Sequence, residues 1–127
     1  LLAAAQGALT IDAIREHDLL SNARRRGSQF KDRLRAEAPD FVVDVRGRGL
    51  MLAVEFDSTA RRDAAVEAAF RRGLLTLGCG YRTMRVLPPL DVTSREIALG
   101  ARTLLEALGD QRVRRAASDA SNAGDVI

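Results

Sequence analysis

The sequence predicts an α+β fold: a small antiparallel sheet with helices packed on one side. Three observations predict it. Residues 41–46 and 50–56 alternate apolar and polar positions with a period of two, on either side of a short glycine-rich segment. Other stretches repeat apolar residues every three or four positions, the helical period. The resulting order, α, α, β, β, α, β, β, α, keeps short strands adjacent in sequence, which favours antiparallel pairing and segregated helices.

The first helix is expected from Leu2 to about Arg15, rich in Ala and Leu and weakened by Gly7. Asp18 is expected to cap the second helix. Its apolar stripe is Leu19/Leu20, Ala23, Gly27, Phe30, Leu34 and Ala38, with Arg24, Arg25, Arg26, Lys31, Asp32 and Arg35 mostly on the other faces. Pro39 stops it. Phe41, Val43 and Val45 share one side of the first strand, and Leu50, Leu52, Val54 and Phe56 one side of the second, with Gly47-Arg48-Gly49 as the turn between. Ser58 or Thr59 is expected to cap a third helix running to about Arg72, small-sided through Ala64, Ala65, Ala68 and Ala69 and ended by Gly73. Leu74 to Leu77 reads as a third strand, residues 78–83 as a loop, and Met84 to Leu87 as the fourth strand. The last helix has the clearest start: Thr93 and Glu96 form a capping box, and Val92 with Ile97 a hydrophobic staple. Ile97, Ala101, Leu104, Leu105 and Leu108 form its stripe, and Gly109 closes it, with Arg112 to Ala117 able to extend it. Ser118 to Ile127 is small and polar and is expected to be a disordered tail.

A chain of 127 residues suits one domain, and 46% hydrophobic with 29% charged residues is ordinary for a globular protein. The net charge of +3 is carried almost wholly by arginine. Those arginines are spread along the chain, often beside Asp or Glu. With only 4% aromatics there is no stacking platform, so nucleic-acid binding is not expected. Cys79 is the only cysteine, which excludes an intrachain disulfide and suits a cytoplasmic location. No apolar run approaches the ~20 residues of a membrane span, and no signal pattern opens the chain. The chain opens without Met, on Leu1-Leu2-Ala3-Ala4-Ala5, as a piece of a longer polypeptide would.

Few residues can carry chemistry. His17, the only histidine, precedes Asp18 at a helix start, where a surface or capping role is expected rather than an activated nucleophile. Cys79 and His17 do not make a zinc site, which wants four good ligands. Lys31, the only lysine, lies between Phe30 and Asp32 on a charged helix and reads as a solvated side chain, so this chain alone cannot run lysine-based cofactor chemistry. Gly47-Arg48-Gly49 lacks the third glycine and the following helix of a dinucleotide fingerprint. Gly78-Cys79-Gly80 lets backbone approach a ligand or partner closely. Arg85 stands out. It sits among Met84, Val86 and Leu87 in a short strand that Pro88-Pro89 must end, because proline has no amide donor. Pointing inward, its guanidinium needs a neighbouring carboxylate or an anionic substrate. Pointing outward, it lays its stem on the sheet and its head in water.

Residues 44–52, Asp-Val-Arg-Gly-Arg-Gly-Leu-Met-Leu, resemble the "VRGxGLM" segment of class III pyridoxal-phosphate-dependent aminotransferases. Gly73-Leu74-Leu75, Gly78-Cys79-Gly80 and Met84-Arg85-Val86-Leu87-Pro88-Pro89-Leu90 resemble that family's "GLL…G…(I/L)RxxPPL" segment, and Thr93-Ser94-Arg95-Glu96-Ile97 the start of its final helix. The likeness runs from about Leu1 to Leu108. It implies the carboxy-terminal small domain of fold-type I enzymes such as the 4-aminobutyrate, ornithine and acetylornithine aminotransferases. Residues 1–117 would then be that domain and 118–127 its tail. The resemblance implies that Arg85 holds a substrate carboxylate. It also implies that pyridoxal phosphate, with its Schiff-base lysine, belongs to a large domain absent here, and that the parent is a cytoplasmic homodimer. The reaction implied is amino transfer from an amino acid or ω-amino acid to a 2-oxo acid, with the fragment alone inactive. Two alternatives remain: an amino-acid racemase of the same family, and a non-catalytic α+β binding module.

Overall fold

In a computed structural model of the chain, residues 1–122 are described, with side chains as far as Ala116. Their elements run in the order α1 (Leu2–Glu16), α2 (Leu19–Glu37), β1 (Val42–Arg48), β2 (Met51–Phe56), α3 (Thr59–Arg71), β3 (Leu77–Cys79), β4 (Thr83–Val86), α4 (Ser94–Leu108) and α5 (Gln111–Asn122). The strands form one antiparallel sheet in the order β1-β2-β4-β3, so β4 inserts between its own hairpin partner and β2. The predicted class is the observed one. Alternation turns Val45, Leu52, Val54, Phe56, Met84 and Val86 to the helical side, where they are buried against Phe30 and Leu34 of α2, the alanines of α3 and Leu104 and Leu108 of α4. Each fully buried leucine there contributes about 1.5–3 kcal/mol of transfer free energy.

Two contacts set how α2 lies on the sheet. The first is a glycine crossing: the β1–β2 hairpin turns on Gly49 and Leu50, between the paired Arg48 and Met51, with Gly49 at φ 52°. The turn presses against Gly27, where an added Cβ would lie 1.9 Å from the Gly49 carbonyl oxygen. The second is an edge cover. Lys31 Nζ donates to the Gly47 carbonyl at 2.9 Å, and Arg35 Nε and Nη2 donate to the Val45 carbonyl at 3.1 and 2.7 Å. Residues four apart on a helix rise about 6 Å and residues two apart on a strand about 7 Å, so the two spacings match. The unpaired edge of β1 is thereby closed to further strands.

Several expectations are corrected. Asp18 begins α2 with left-handed backbone (φ 49°) and makes no side-chain cap bond. Lys31 is not a solvated side chain, because it is spent on the edge of β1. Gly47 and Arg48 belong to β1 rather than to the turn. A bulge between Val42 and Asp44 turns Val43 outward, breaking the expected alternation. Leu74 to Leu77 is not a strand. Gly73 (φ 79°) and Leu74 donate to the Phe70 and Ala69 carbonyls at 2.9 and 3.0 Å, a Schellman ending of α3 that delays β3 to Leu77. Gly78 then belongs to β3, where its missing side chain leaves room for Arg62 of α3. Beyond Gly109 a separate helix, α5, starts at Gln111 and buries Val113. The expected tail begins at Ser118, whereas α5 runs on to Asn122; residues 123–127 lie outside the described residues.

Ser58 caps α3, and the capping box of α4 is present in both directions: the Thr93 hydroxyl accepts from the Glu96 amide at 3.2 Å, and the Thr93 amide donates to Glu96 Oε2 at 2.8 Å. The Thr93 hydroxyl also donates to Glu96 Oε2 at 2.7 Å; that bond first, then the one from the Thr93 amide, holds the Glu96 carboxyl below the usual range. Thr93→Ala should lower stability by about 1 kcal/mol in denaturant unfolding. An unchanged midpoint would show that the cap adds nothing.

Candidate functional site

Arg85 sits on β4, opposite Ala53 of β2 on one side and Leu77 of β3 on the other. Its neighbours Met84 and Val86 point into the core, so Arg85 points to the opposite face, which no helix covers among the described residues, and it is exposed there. The strand stops at Val86, before Pro88-Pro89. The chain beyond is strapped to α2: Asn22 Nδ2 donates to the Leu90 and Val92 carbonyls at 3.1 and 3.0 Å, and Gln29 Nε2 to the Ser94 carbonyl at 3.0 Å. The strand bearing Arg85 is therefore held at its sides by two ladders and at its exit by helix amides.

Around Arg85 the open face forms a depression of about 570 Å³, lined among others by Arg46, Arg48, Met51, Ala53 and Thr83. Ala53, between Arg46 and Arg85 in the register, keeps its floor low. Met51 and Leu77 border it at 66% and 53% exposure, an apolar fringe of the kind that marks a surface built to be covered. Among the described residues Arg85 and Arg48 have no hydrogen-bond or ion-pair partner. The inward alternative is thus set aside: the guanidinium head lies free on the open face.

The other charges of this face are paired. Glu55 Oε2 accepts from Arg46 Nη1 at 2.6 Å and Glu55 Oε1 from Arg82 Nε at 2.9 Å, while Arg46 Nη1 also reaches Asp44 Oδ2 at 2.9 Å. The hydrogen bond from Arg46, then that from Arg82, holds the Glu55 carboxyl below its ordinary range. Reciprocally, the bonds to Asp44 and then Glu55 raise Arg46. A carboxyl lowered by folding stabilises fully above its unfolded pKa, about 4.3 for Glu, and loses that contribution as pH falls through the folded value. Glu55→Gln should therefore flatten the acid limb of the stability–pH curve. Parallel limbs in the two proteins would contradict this.

Of the residues singled out by sequence, the structure keeps His17 exposed at the end of α1 and Cys79 exposed on β3, apart from each other. No three His, Cys, Asp or Glu side chains gather at metal distance among the described residues. Sequence reasoning did not find Arg46, Arg48, Glu55 and Arg82 as companions of Arg85. The period of two already places Arg46 and Glu55 on a polar face. What it could not supply is the insertion of β4 beside β2, which brings them to Arg85.

The model of the class III aminotransferase family matches residues 1–108. An L-lysine-epsilon aminotransferase of Amycolatopsis lactamdurans is 36% identical over 105 residues, 80% of this chain and 23% of that protein. An acetylornithine aminotransferase of Bacillus subtilis is 37% identical over 110 residues, 85% of this chain and 28% of that protein. The ornithine aminotransferase of Toxoplasma gondii, whose structure holds pyridoxal phosphate at partial occupancy in its active site, superposes with a TM-score of 0.69 at 33% identity, covering 74% of this chain and 23% of that one. The chain thus spans about a quarter of the length of these relatives.

Proposed function

The chain belongs to the class III aminotransferase family, and from that premise we propose that residues 1–117 are the small domain of a longer enzyme. That enzyme transfers an amino group between an amino acid or ω-amino acid and a 2-oxo acid, with Arg85 receiving the substrate carboxylate. The observation that carries this is a guanidinium on a central strand, without a partner among the described residues, in the middle of a sheet face that none of the described residues covers. Guanidinium and carboxylate meet through two parallel hydrogen bonds, which select geometry as well as charge.

The described residues do not fit the cofactor, since Lys31, the only lysine, is engaged with the Gly47 carbonyl at the sheet edge. Pyridoxal phosphate, which supplies an electron sink when bound, belongs in this account to the large domain of the parent. The part played by this chain is orientation. Arg85 fixes one end of the substrate, the β2 and β3 ladders fix Arg85, and the covering domain excludes water from the pair. The same large domain is the natural cover for α1, whose Leu2, Leu9 and Ile11 are exposed. The parent is proposed to be a cytoplasmic homodimer; no described helix is long and apolar enough to cross a membrane.

The full-length parent, given an amino acid and a 2-oxo acid, should exchange the amino group between them, and residues 1–127 alone should show neither activity nor visible cofactor absorbance. Loss of chirality without any acceptor would assign the racemase instead. Cofactor binding by the isolated chain would overturn the division of labour.

A further inference from the structure

We infer that Thr59 and Arg62 of α3 are positioning residues: by gripping the β3–β4 turn, they fix the strand beside which Arg85 meets the substrate carboxylate. The inference rests on the reading of Arg85 as the carboxylate receptor and adds the device that sets its surroundings.

That strand needs an outside hold. β3 has three residues and a single sheet neighbour, β4, so its ladder alone is marginal. Alternation puts Leu77 and Cys79 of β3 on the open face with Thr83 and Arg85 of β4, and Leu77 lies directly opposite Arg85. Cys79, Gly80, Thr83 and Arg85 all line the depression. The turn between the two strands is Gly80-Tyr81-Arg82, and each of its carbonyls has a donor. The Arg82 carbonyl accepts from the Phe56 amide, at the end of β2, at 3.0 Å. The Tyr81 carbonyl accepts from Thr59 Oγ1 at 3.1 Å, and the Gly80 carbonyl from Arg62 Nη1 at 3.4 Å. Residues three apart share a helix face, so the start of α3 presents both donors to the same turn.

Arg62 also props β3 from the helical side. Gly78 pairs with Met84, whose side chain is buried on that side, so a side chain at Gly78 would point there too. The Arg62 guanidinium occupies that space: a Cβ added at Gly78 would stand 3.1, 3.2 and 3.3 Å from its Nη1, Cζ and Nε. The Arg62 side chain is only 12% exposed, and Asp63 Oδ1 accepts from its Nε at 2.5 Å. Without this guanidinium β3 loses its support over Gly78, and Leu77 settles toward α3 beside Arg85. A misplacement of about 1 Å is enough to weaken an oriented pair severely.

The test uses the full-length parent enzyme and steady-state kinetics with a carboxylate substrate, in the wild-type and Arg85→Ala backgrounds. Arg62→Met keeps the stem and removes the guanidinium; it should raise KM by about three- to tenfold with kcat little changed. Arg62→Lys, whose ammonium still reaches toward the Gly80 carbonyl, should recover most of that loss. In the Arg85→Ala background Arg62→Met should shift KM by less than about twofold, because the group it positions is gone. A merely structural role would instead lower kcat in both backgrounds. If Arg62→Met fails to fold, Thr59→Val decides: it removes one hydroxyl from a half-buried site and should raise KM by about two- to threefold. An unchanged KM in the variant that folds, or a KM shift of equal size in both backgrounds, overturns the inference. Arg85→Ala separates the two levels. If it raises KM while Arg62→Met and Thr59→Val do not, the receptor stands and the grip falls. If Arg85→Ala itself leaves KM unchanged, both fall.

Discussion

Arg85→Ala in the full-length enzyme should lower kcat/KM for a carboxylate substrate by about 10²- to 10³-fold. The size follows from the bond type. A two-pronged, charge-assisted pair shielded from water loses about 2–5 kcal/mol when one partner is truncated, and 1.4 kcal/mol is a factor of ten. Most of the loss should fall on KM, because the carboxylate does not react and is held alike in ground and transition states. A smaller share should fall on kcat, because a substrate tethered at one end only is misplaced at the other. Arg85→Lys should recover only part of the loss, since an ammonium is a point charge and cannot reproduce two parallel bonds. Stability should hardly change, because Arg85 is exposed and partnerless among the described residues, and an unfolding curve overlaying the wild type separates lost function from lost fold.

Gly27→Ala carries the second large effect, on the fold. In the middle of a helix this change ordinarily stabilises by about 1 kcal/mol. Here the sign reverses. The new Cβ would lie 1.9 Å from the oxygen and 2.6 Å from the carbon of the Gly49 carbonyl, which is backbone and cannot rotate aside. Gly49 is itself committed to φ 52° in a two-residue turn, so α2 and the hairpin must separate. A loss of about 3 kcal/mol is expected in denaturant unfolding, from overpacking and from the burial forfeited around Phe30 and Leu50. A variant as stable as the wild type would show that the crossing is not a close contact. Tilting the hairpin also moves Arg46 and Arg48, so the damage should extend to the open face.

Much of this architecture was legible in the sequence. The capping box at Thr93 and Glu96, the stripe from Phe30 to Leu34 and the period of two in residues 50–56 each follow from local rules, and each is present. The misreadings have different physical causes, two local and one from distant chain. Leu74 looks like strand, but its amide donates to the Ala69 carbonyl in the ending of α3, and the ladder starts only at Leu77. Lys31 looks solvated but finds a strand edge that only tertiary structure provides. Asp18 has the right chemistry for a cap, yet its left-handed backbone leaves it without a side-chain cap bond. At the candidate site, the prolines announce where β4 ends and Arg85 stands out by contrast with its neighbours. The ion network beside it depends on strand order, which no periodicity encodes.

The receptor role of Arg85 is tested most directly by discrimination. In the full-length enzyme, kcat/KM is measured for an amino donor and for the same donor with the carboxylate held by Arg85 converted to the neutral amide, in wild type and in Arg85→Ala. The account predicts that the wild type prefers the carboxylate by about 10²-fold or more and that this preference collapses to near unity in the variant. A variant that still prefers the carboxylate as strongly as the wild type would place the carboxylate on another group and contradict the account.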